Sequence, residues 1–385
     1  MSDGLQKIQL GFVGLSEEGW PADALAPPLF APPLSSKYTL VAVSTTNSQS
    51  AQASAAKYSQ IRNLSEHTKN LVVKPYHGSA EHIALDKDVG MVAVAIKPIY
   101  QKDAAMEVIK AGKDLFIEWP VGKNLDETKQ IFDAARDKGI KTIVGCQMRF
   151  AGFALKVKSM MSTGEIGKIH SSNFTISFNR GWGATVLDLY KHRTSAKNSA
   201  TLLDSAGGHV FDLLLHILGP ITSLSAVVVN HIPTVTVIDS ITGMPTGETV
   251  VQEGPTQICV AGILQTSTTN VNHGGVQTIQ TPFIVHLQSG VKEADFTWVI
   301  SGENGTVRVQ ADAKLGFFDP CPPMYWNGNK VEGLPKVEQR ITSAWEAFAD
   351  GKIGTYANVE DALRTKSVLD AVMRSAEEGK RIDLL

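Results

Sequence analysis

The chain has 385 residues, of which 43% are hydrophobic and 19% charged, and its formal net charge is −2. This length allows two domains with a core each, and the composition excludes a disordered chain. The near-neutral charge, without a Lys/Arg stripe or zinc-finger spacing, predicts that the protein does not bind nucleic acid directly.

The cysteines and the apolar runs bear on location. Cys146, Cys259 and Cys321 are odd in number and far apart, which indicates reduced thiols rather than a disulfide framework. The first 15 residues lack the basic and apolar regions of a signal peptide. No apolar run reaches the roughly 18 residues of a membrane span. We therefore expect a cytoplasmic protein with no membrane partner.

The first 147 residues alternate short apolar runs with helical patterns, which predicts an α/β domain with a doubly wound parallel sheet. Its ligand crevice is expected at the carboxyl ends of the strands. Prolines between Trp20 and Leu34 should break the first crossover helix into short pieces. The predicted strands are Ile8–Val13, Leu40–Ser44, Val89–Pro98, Asp114–Pro120 and Lys141–Gln147.

Residues 148–385 have a different texture and predict a second, α+β domain. A buried helix is expected over Gly207–Gly219, and strand patterns then follow one another from Ile221 to Val309 without helices between them. Consecutive strands of this kind indicate an antiparallel sheet. The amphipathic pattern at 358–382 predicts a helix that packs on one of the two domains.

The turn after the first strand resembles a dinucleotide-binding fingerprint with its middle glycine replaced. Gly14 would permit the tight turn and Gly19 the close approach of helix and strand, while Ser16 leaves less room for a pyrophosphate. The Ser16 hydroxyl could instead donate a hydrogen bond to a phosphate. The alternative is that these glycines serve only a strand–helix turn.

The end of the second strand bears on the choice of dinucleotide. The run Ser44–Ser48 contains no carboxylate to bind a ribose 2′-hydroxyl, and Thr45, Thr46 and Ser48 supply donors for a 2′-phosphate. No arginine accompanies them. These residues therefore favour NADP over NAD. Ile96 and Pro98, at the end of the predicted strand Val89–Pro98 and so at the same sheet edge, are also expected to contact the cofactor.

With these pieces placed, the order of motifs resembles the Gfo/Idh/MocA family. The matching segments are "GFVGL", "VAVST", "VAVAIKP", "AGKDLFIEWP", "GCQMRF", "STGEIGKIHS", "GGHVFDLLLHILG" and "ISGENGTVRV". Among relatives the chain is most similar to the fungal branch, which includes uncharacterised oxidoreductases and the galactose-pathway repressor of yeasts. The resemblance implies a Rossmann domain followed by a large open, mainly antiparallel sheet that forms a homodimer, with the nicotinamide where the domains meet.

The family's usual Glu-Lys-Pro motif reads Glu118-Trp119-Pro120 here. In the family the lysine is proposed to act with a downstream histidine in proton transfer. Tryptophan cannot titrate, so Trp119 is expected to contact cofactor and substrate without carrying a proton. Glu118 is expected to contact the nicotinamide ribose.

The resemblance assigns the catalytic histidine to His209. The aspartate usual four residues before it is absent, since Ser205 stands there and Asp204 is one residue further back. A histidine frequent after the fourth strand is replaced by Lys102. His209 is expected to relay a proton or to hold a substrate hydroxyl. Its alternative is a structural histidine at a helix terminus.

Four further residues are candidates near the predicted edge. Lys97 is a candidate surrogate for the missing lysine. Gln147 and Arg149 are expected to contact substrate, Arg149 alternatively forming an interdomain salt bridge. Asp212, one turn after His209, could orient that histidine and contact substrate, or could be an ordinary helix or interdomain residue.

The irregular segment Arg180–Ser199 is aromatic and basic, and it predicts a lining for the substrate pocket. Within it Trp182 is expected to contact substrate, Tyr190 to act as a phenolic donor or general acid, and Lys191 to be its charge partner. The alternative is an exposed loop. The remaining histidines show no metal-ligand spacing, so no metal is expected.

Taken together, the residues and the resemblance predict an NAD(P)-dependent oxidoreductase acting on a polyol, sugar or other small carbonyl or alcohol. Two alternatives remain open. One is a dinucleotide-sensing transcriptional regulator like the galactose repressor, which the loss of the lysine favours. The other is a non-redox isomerase or cyclase of secondary metabolism on the same fold.

Overall fold

The computed structural model describes residues 7–65, 71–178, 182–270, 275–311, 321–335 and 340–384. The chain divides into two compact units. The first comprises residues 1–147 and 339–363, and the second comprises residues 148–338 and 364–385. The second domain expected at 148–385 is therefore interrupted by a segment that belongs to the first unit.

The elements are numbered in chain order. The strands are β1 (Ile8–Val13), β2 (Tyr38–Thr45), β3 (Lys74–His77), β4 (Met91–Val94), β5 (Asp114–Ile117), β6 (Thr142–Val144), β7 (Ile169–Phe178), β8 (Thr185–Leu187), β9 (Ile221–Val229), β10 (Thr234–Ile238), β11 (Pro245–Val251), β12 (Gln257–Asn270), β13 (Gly275–Ser289), β14 (Asp295–Gly302), β15 (Thr306–Gln310), β16 (Met324–Trp326), β17 (Asn329–Lys330) and β18 (Ile382–Asp383). The α-helices are α1 (Ser48–Ser65), α2 (Glu81–Ala84), α3 (Pro98–Lys110), α4 (Leu125–Lys138), α5 (Gly152–Ser162), α6 (Gly208–Leu218), α7 (Arg340–Ala349) and α8 (Val359–Glu378).

The first unit contains a six-stranded parallel sheet in the order β3-β2-β1-β4-β5-β6. The predicted doubly wound sheet is thus confirmed, with a reversal of strand order between β1 and β4. Strand β4 is fully buried, as expected for a strand covered on both faces. The reversal places the carboxyl ends of β1 and β4 beside the crevice where such sheets bind ligands.

The crossover from β1 to β2 consists of short helical pieces rather than one helix, as the prolines predict. A π-turn at Pro21–Leu25 is followed by 3-10 turns at Pro27–Phe30 and Leu34–Ser36. Proline lacks the amide hydrogen that a continuous helix needs. The sheet therefore has an open, irregular segment beside its first strand.

The segment 339–363 belongs to the first unit because an aromatic cluster and main-chain hydrogen bonds join it to the sheet. Trp345 in α7 is fully buried and stacks on Phe116 with ring centroids 4.5 Å apart. The Tyr38 hydroxyl donates to the Trp345 carbonyl at 2.7 Å. The Val144 amide donates to the Ala357 carbonyl at 2.8 Å. The sequence allowed the C-terminal helix to pack on the first domain, but no pattern in it indicated that α7 does so.

The second unit contains a nine-stranded mixed sheet in the order β17-β16-β15-β14-β7-β13-β12-β9-β18. Only the β7–β13 pair is parallel among its described pairs, so the sheet is mainly antiparallel, as predicted. On one face of the sheet, Phe174, Phe296 and Trp298 form a buried aromatic cluster with Phe153 of α5. Strands β11, β10 and β8 form a separate three-stranded sheet.

Helix α8 begins in the first unit and continues from Arg364 in the second. Among the described residues, every helix is too short or too polar to cross a lipid bilayer.

Candidate functional site

The turn after β1 leaves no space for a side chain at Gly14. Its φ is +91°, and a Cβ built there would lie 2.4 Å from the Ala95 carbonyl oxygen and 2.6 Å from Cγ2 of Ile96. The Gly14 amide donates to the Ser44 carbonyl at 2.8 Å. Glycine is thus required where the ends of β1, β2 and β4 converge. Gly19 has a similar φ of +93° but open space around it.

Helix α1 anchors the loop between Gly14 and Gly19. The Ser54 hydroxyl donates to the Leu15 carbonyl at 2.7 Å, the Lys57 ammonium to the Glu17 carbonyl, and the Tyr58 hydroxyl to the Ser16 carbonyl at 3.3 Å. The Ser16 hydroxyl donates to the Glu18 carbonyl at 2.7 Å. The loop is therefore pre-shaped, and Ser16 would have to exchange this bond to serve a phosphate.

The hydroxyls at the end of β2 are arranged around the start of α1. Asn47 is the N-cap, because its Oδ1 accepts from the Ser50 amide at 2.9 Å. The Thr45 hydroxyl lies 2.6 Å from the Ser50 hydroxyl, whereas Thr46 and Ser48 are exposed. This edge thus offers hydroxyl groups and no carboxylate.

One buried glutamine joins the turns that follow β4 and β5. Nε2 of Gln101 donates to the carbonyls of Ile96 at 3.2 Å and Glu118 at 2.9 Å, and its Oε1 accepts from the Gly122 amide at 3.0 Å. Pro98 is the first residue of α3 and is buried, and Lys97 is exposed just before it. Ile96, Lys97 and Pro98 therefore lie at the predicted edge.

Glu118 sits against β6 in a space that only glycine leaves open. A Cβ on Gly145 would lie 2.1 Å from its Oε1. The Trp119 amide donates to Oε1 at 3.1 Å, and the Trp20 indole N–H donates to Oε2 at 3.4 Å. Burial raises the pKa of Glu118 to about 7, although both hydrogen bonds oppose that shift. The carboxyl can therefore change charge near neutral pH.

Trp119 is 6% exposed and follows Glu118 at the same strand end. Its indole is thus removed from bulk water, and tryptophan has no titratable proton at neutral pH. Gln147 is half-buried and starts a 3-10 turn after β6, where it is the last residue before the second unit.

Arg149 and Asp212 form a buried ion pair within the second unit. Nε of Arg149 donates to Oδ2 at 2.9 Å, its terminal nitrogen donates to Oδ1 at 2.5 Å, and the two side chains are 3% and 1% exposed. The alternative that Arg149 makes a salt bridge between domains is wrong for this pair, because both residues belong to one unit. In this bidentate geometry both oxygens of the Asp212 carboxylate accept hydrogen bonds from the Arg149 guanidinium.

The predicted partnership of Lys191 with Tyr190 is wrong. Lys191 pairs with Glu248, and the cation over the Tyr190 ring is Arg193, 4.0 Å from the ring centroid. Neighbouring residues of the 3-10 helix Asp188–Thr194 point in different directions, so adjacency in sequence did not give contact. Tyr190 also packs on the apolar cluster of the small sheet.

Trp182 is 7% exposed and is held on several sides. Its indole N–H donates to the Ala200 carbonyl at 3.3 Å, its ring packs on Phe178 at 5.2 Å, and its carbonyl accepts from the Ser289 hydroxyl at 2.8 Å. These contacts describe a packing residue. Residues 180–181 of the predicted pocket segment lie outside the described residues.

His209 is the second residue of α6 and follows a π-turn at Leu203–Gly207. The Gly207 amide donates to the Leu202 carbonyl at 3.0 Å, which closes the wide turn. Single π-turns within helices are frequent at functional sites. His209 remains half-buried rather than sealed in the core.

The described residues hold no group of three or more His, Cys, Asp or Glu side chains that could bind a metal ion.

Sequence reasoning missed several residues of these sites. Trp20, Gln101 and Gly145 shape the surroundings of Glu118, and Lys366 is a buried lysine of the second unit. The position of Lys366 on the apolar face of the α8 pattern could have indicated that this lysine is buried. The other three contacts join residues far apart in sequence, so no local pattern marks them.

Comparison with known families matches both parts of the chain. Residues 8–146 match the model of the oxidoreductase family with an NAD-binding Rossmann fold, and residues 153–311 match the Gal80p C-terminal domain. Together the two matches span most of the chain.

Individual relatives divide between enzymes and regulators. The chain is 27% identical over 393 residues to the dehydrogenase aclE of Aspergillus oryzae, covering 97% of this chain and 98% of that protein. It is 26% identical over 342 residues to the galactose/lactose metabolism regulatory protein GAL80 of Saccharomyces cerevisiae, covering 85% and 72%. The crystal structure of a super-repressor mutant of Gal80p from that yeast superposes with a TM-score of 0.80 at 21% identity, covering 98% of each chain.

Proposed function

We propose that the chain, whose residues 8–146 match the oxidoreductase family with an NAD-binding Rossmann fold and whose residues 153–311 match the Gal80p C-terminal domain, is an NAD(P)-dependent oxidoreductase of the Gfo/Idh/MocA type that acts on a small polyol, sugar or other carbonyl or alcohol. The observation that carries the proposal is the cradle at Gly14. A Cβ there would meet the Ala95 carbonyl at 2.4 Å, at the switch point of a doubly wound parallel sheet. The dehydrogenase aclE, matched along nearly its whole length, supports the same class.

The residues at this edge fit a nicotinamide dinucleotide. The anchored loop from Gly14 to Gly19 would face the pyrophosphate, and Thr45, Thr46 and Ser48 would face the adenosine ribose. The absence of a carboxylate in Ser44–Ser48 supports NADP over NAD. When bound, the dinucleotide supplies a hydride donor or acceptor.

The proton is assigned to His209. Its half-buried imidazole follows a π-turn and has a ring nitrogen that can accept or donate a proton, which the Trp119 indole lacks. In the oxidation direction His209 would accept the proton of a substrate hydroxyl, and in the reduction direction it would return it. Lys97 is the second candidate for the proton carrier, because it is an exposed lysine between Ile96 and Pro98 at the strand edge. Tyr190 is the third, although Arg193 stacks on its ring.

A dinucleotide-sensing regulator is the second candidate function. The observation in its favour is Trp119, a buried, untitratable residue in place of the family lysine. The 26% identity to the regulatory protein GAL80 points the same way. Under this reading the first unit still binds the dinucleotide, and no turnover follows.

The proposal includes a homodimer through the nine-stranded sheet. The face opposite the aromatic cluster exposes Val227 and Ile284, which are 65% and 52% exposed, together with Cys259. Apolar residues on an open sheet face are expected to be covered by a partner.

Steady-state assays with NADPH, NADH and their oxidised forms against sugars, polyols and small ketones test the proposal. We expect turnover in the wild type that is lost in His209→Gln while NADPH binding, measured by its fluorescence, persists. A variant Trp119→Lys is the second probe. Binding of NADPH with no turnover in either protein would favour the regulator.

A further inference from the structure

A buried polar chain in the second unit leads to the π-turn before His209. Nζ of Lys366 donates to the Ser199 hydroxyl at 2.8 Å, and that hydroxyl donates to Oδ1 of Asp204 at 3.2 Å. Lys366 is 3% exposed and Ser199 is 1% exposed. A lysine and a carboxylate are thus joined through one hydroxyl, with Lys366 and Ser199 buried and Asp204 half-buried.

Asp204 connects this chain to the helix start. Its Oδ2 accepts from the Thr201 hydroxyl at 2.7 Å and from the Thr201 amide at 3.3 Å, and its own amide donates to Oγ1 of Thr201 at 3.3 Å. These reciprocal bonds are a capping box. Asp204 is at the same time the second residue of the π-turn Leu203–Gly207. The carboxylate therefore fixes the point from which the wide turn departs.

Ser199 has a backbone conformation that glycine adopts more readily than serine. Its φ is +49°, and in the described part of the chain only Asn327 shares a positive φ without being glycine. Glycine would adopt this conformation without steric cost. Serine supplies here a hydroxyl that glycine lacks, and this hydroxyl accepts from Lys366 and donates to Asp204.

We propose that Ser199 and Lys366 are positioning residues that hold Asp204, and through it the π-turn that presents the His209 ring. The proposal deepens the assignment of His209 and rests on it only for the effect on turnover. The ring's orientation follows from the chain Lys366–Ser199–Asp204 whether or not the protein catalyses a redox reaction.

The test uses the full chain labelled with ¹⁵N-histidine, with the His209 ring signals identified from their loss in His209→Gln. The decisive variant is Ser199→Gly, which removes the hydroxyl while relaxing the backbone. We expect it to fold, to bind NADPH with unchanged affinity, and to show shifted or broadened His209 ring signals. Where the wild type turns over, its kcat should fall on the order of 10- to 100-fold, as expected for a displaced reacting group.

Three further variants complete the design. Lys366→Met should move the same His209 signals, and Lys366→Arg, which keeps a donor, should restore them in part. Arg374→Met removes a charge from the exposed face of the same helix and should leave them in place.

If the His209 signals of Ser199→Gly superimpose on those of the wild type, the proposal is overturned. This outcome decides even if Lys366→Met does not fold. Moved signals in a protein without turnover support the positioning role and count against the oxidoreductase alone.

Discussion

The strand edge of the first unit and the segment around α6 in the second hold their polar groups by different means. At the strand edge, the absence of a side chain at Gly14 and Gly145 lets the Ala95 carbonyl and the Glu118 carboxyl approach closely, and the Trp119 amide donates to that carboxyl. Around α6, buried charges hold one another, as in Arg149–Asp212. The first arrangement depends on the absence of a side chain, whereas the second depends on paired charges.

This difference separates the effects expected from substitution. A side chain added at Gly14 should weaken dinucleotide binding by displacing the turn, because it would collide with the Ala95 carbonyl. A charge removed near α6 should unfold that unit or misplace its residues, because an unpaired buried charge is costly.

The largest effect is expected when the buried ion pair is broken. Arg149→Met leaves Asp212 charged and 1% exposed, so the second unit should lose about 3–5 kcal/mol of unfolding free energy. Urea unfolding followed by hydrogen exchange of α6 measures this loss. The double variant Arg149→Met/Asp212→Leu should recover most of it, and an equal loss in both would show that charge pairing is not the cause.

Adding one methyl group at the strand edge comes next. Gly14→Ala should cost about 2–4 kcal/mol through strain and a collision with the Ala95 carbonyl, and should abolish NADPH binding. Gly19→Ala is the matched control, since its φ is nearly the same but its surroundings are open. It should cost about 1 kcal/mol and leave binding measurable. Equal effects at both positions would remove the argument for a cradle.

The charge of Glu118 should make the first unit less stable as the pH rises. Burial raises the pKa of this carboxyl from 4.5 to about 7, so the folded state holds a proton that the unfolded state releases between these values. Stability contributed by the protonated form is complete below about pH 4.5 and is lost through pH 7. Glu118→Gln should therefore exceed the wild type by about 3 kcal/mol above pH 8, and by little at pH 4.5. Parallel unfolding curves at all pH values would contradict the assigned shift.

The smallest effect is expected for the partly exposed pair Lys191–Glu248. Its side chains are 44% and 48% exposed, so Lys191→Met should change the unfolding free energy by less than about 1 kcal/mol. The same denaturation assay compares it with Arg149→Met. A loss as large as that of Arg149→Met would erase the distinction between buried and exposed pairs.

The sequence predicted what local periodicity determines. Short apolar runs separated by helices gave the parallel sheet, consecutive strands gave the mainly antiparallel sheet, and prolines gave the broken crossover. Adjacency failed for Tyr190 and Lys191, because neighbouring side chains diverge in a 3-10 helix.

Contacts between distant residues could not be predicted. The return of Trp345 to the first sheet, the seat of Glu118 on Gly145 and the bond from Lys366 to Ser199 each join segments that no motif links. Such contacts depend on which surfaces meet after folding, so only the structure reveals them.

The central claim is that this chain transfers hydride with a dinucleotide although Trp119 replaces the family lysine. Its most direct test offers NADPH deuterated at the transferable C4 position together with a mixture of small sugars and ketones, followed by mass spectrometry of the products. We predict an alcohol product that carries one deuterium with the wild type and none with His209→Gln. Tight binding of NADPH without deuterium in any product, in the wild type and in Trp119→Lys alike, would contradict the claim.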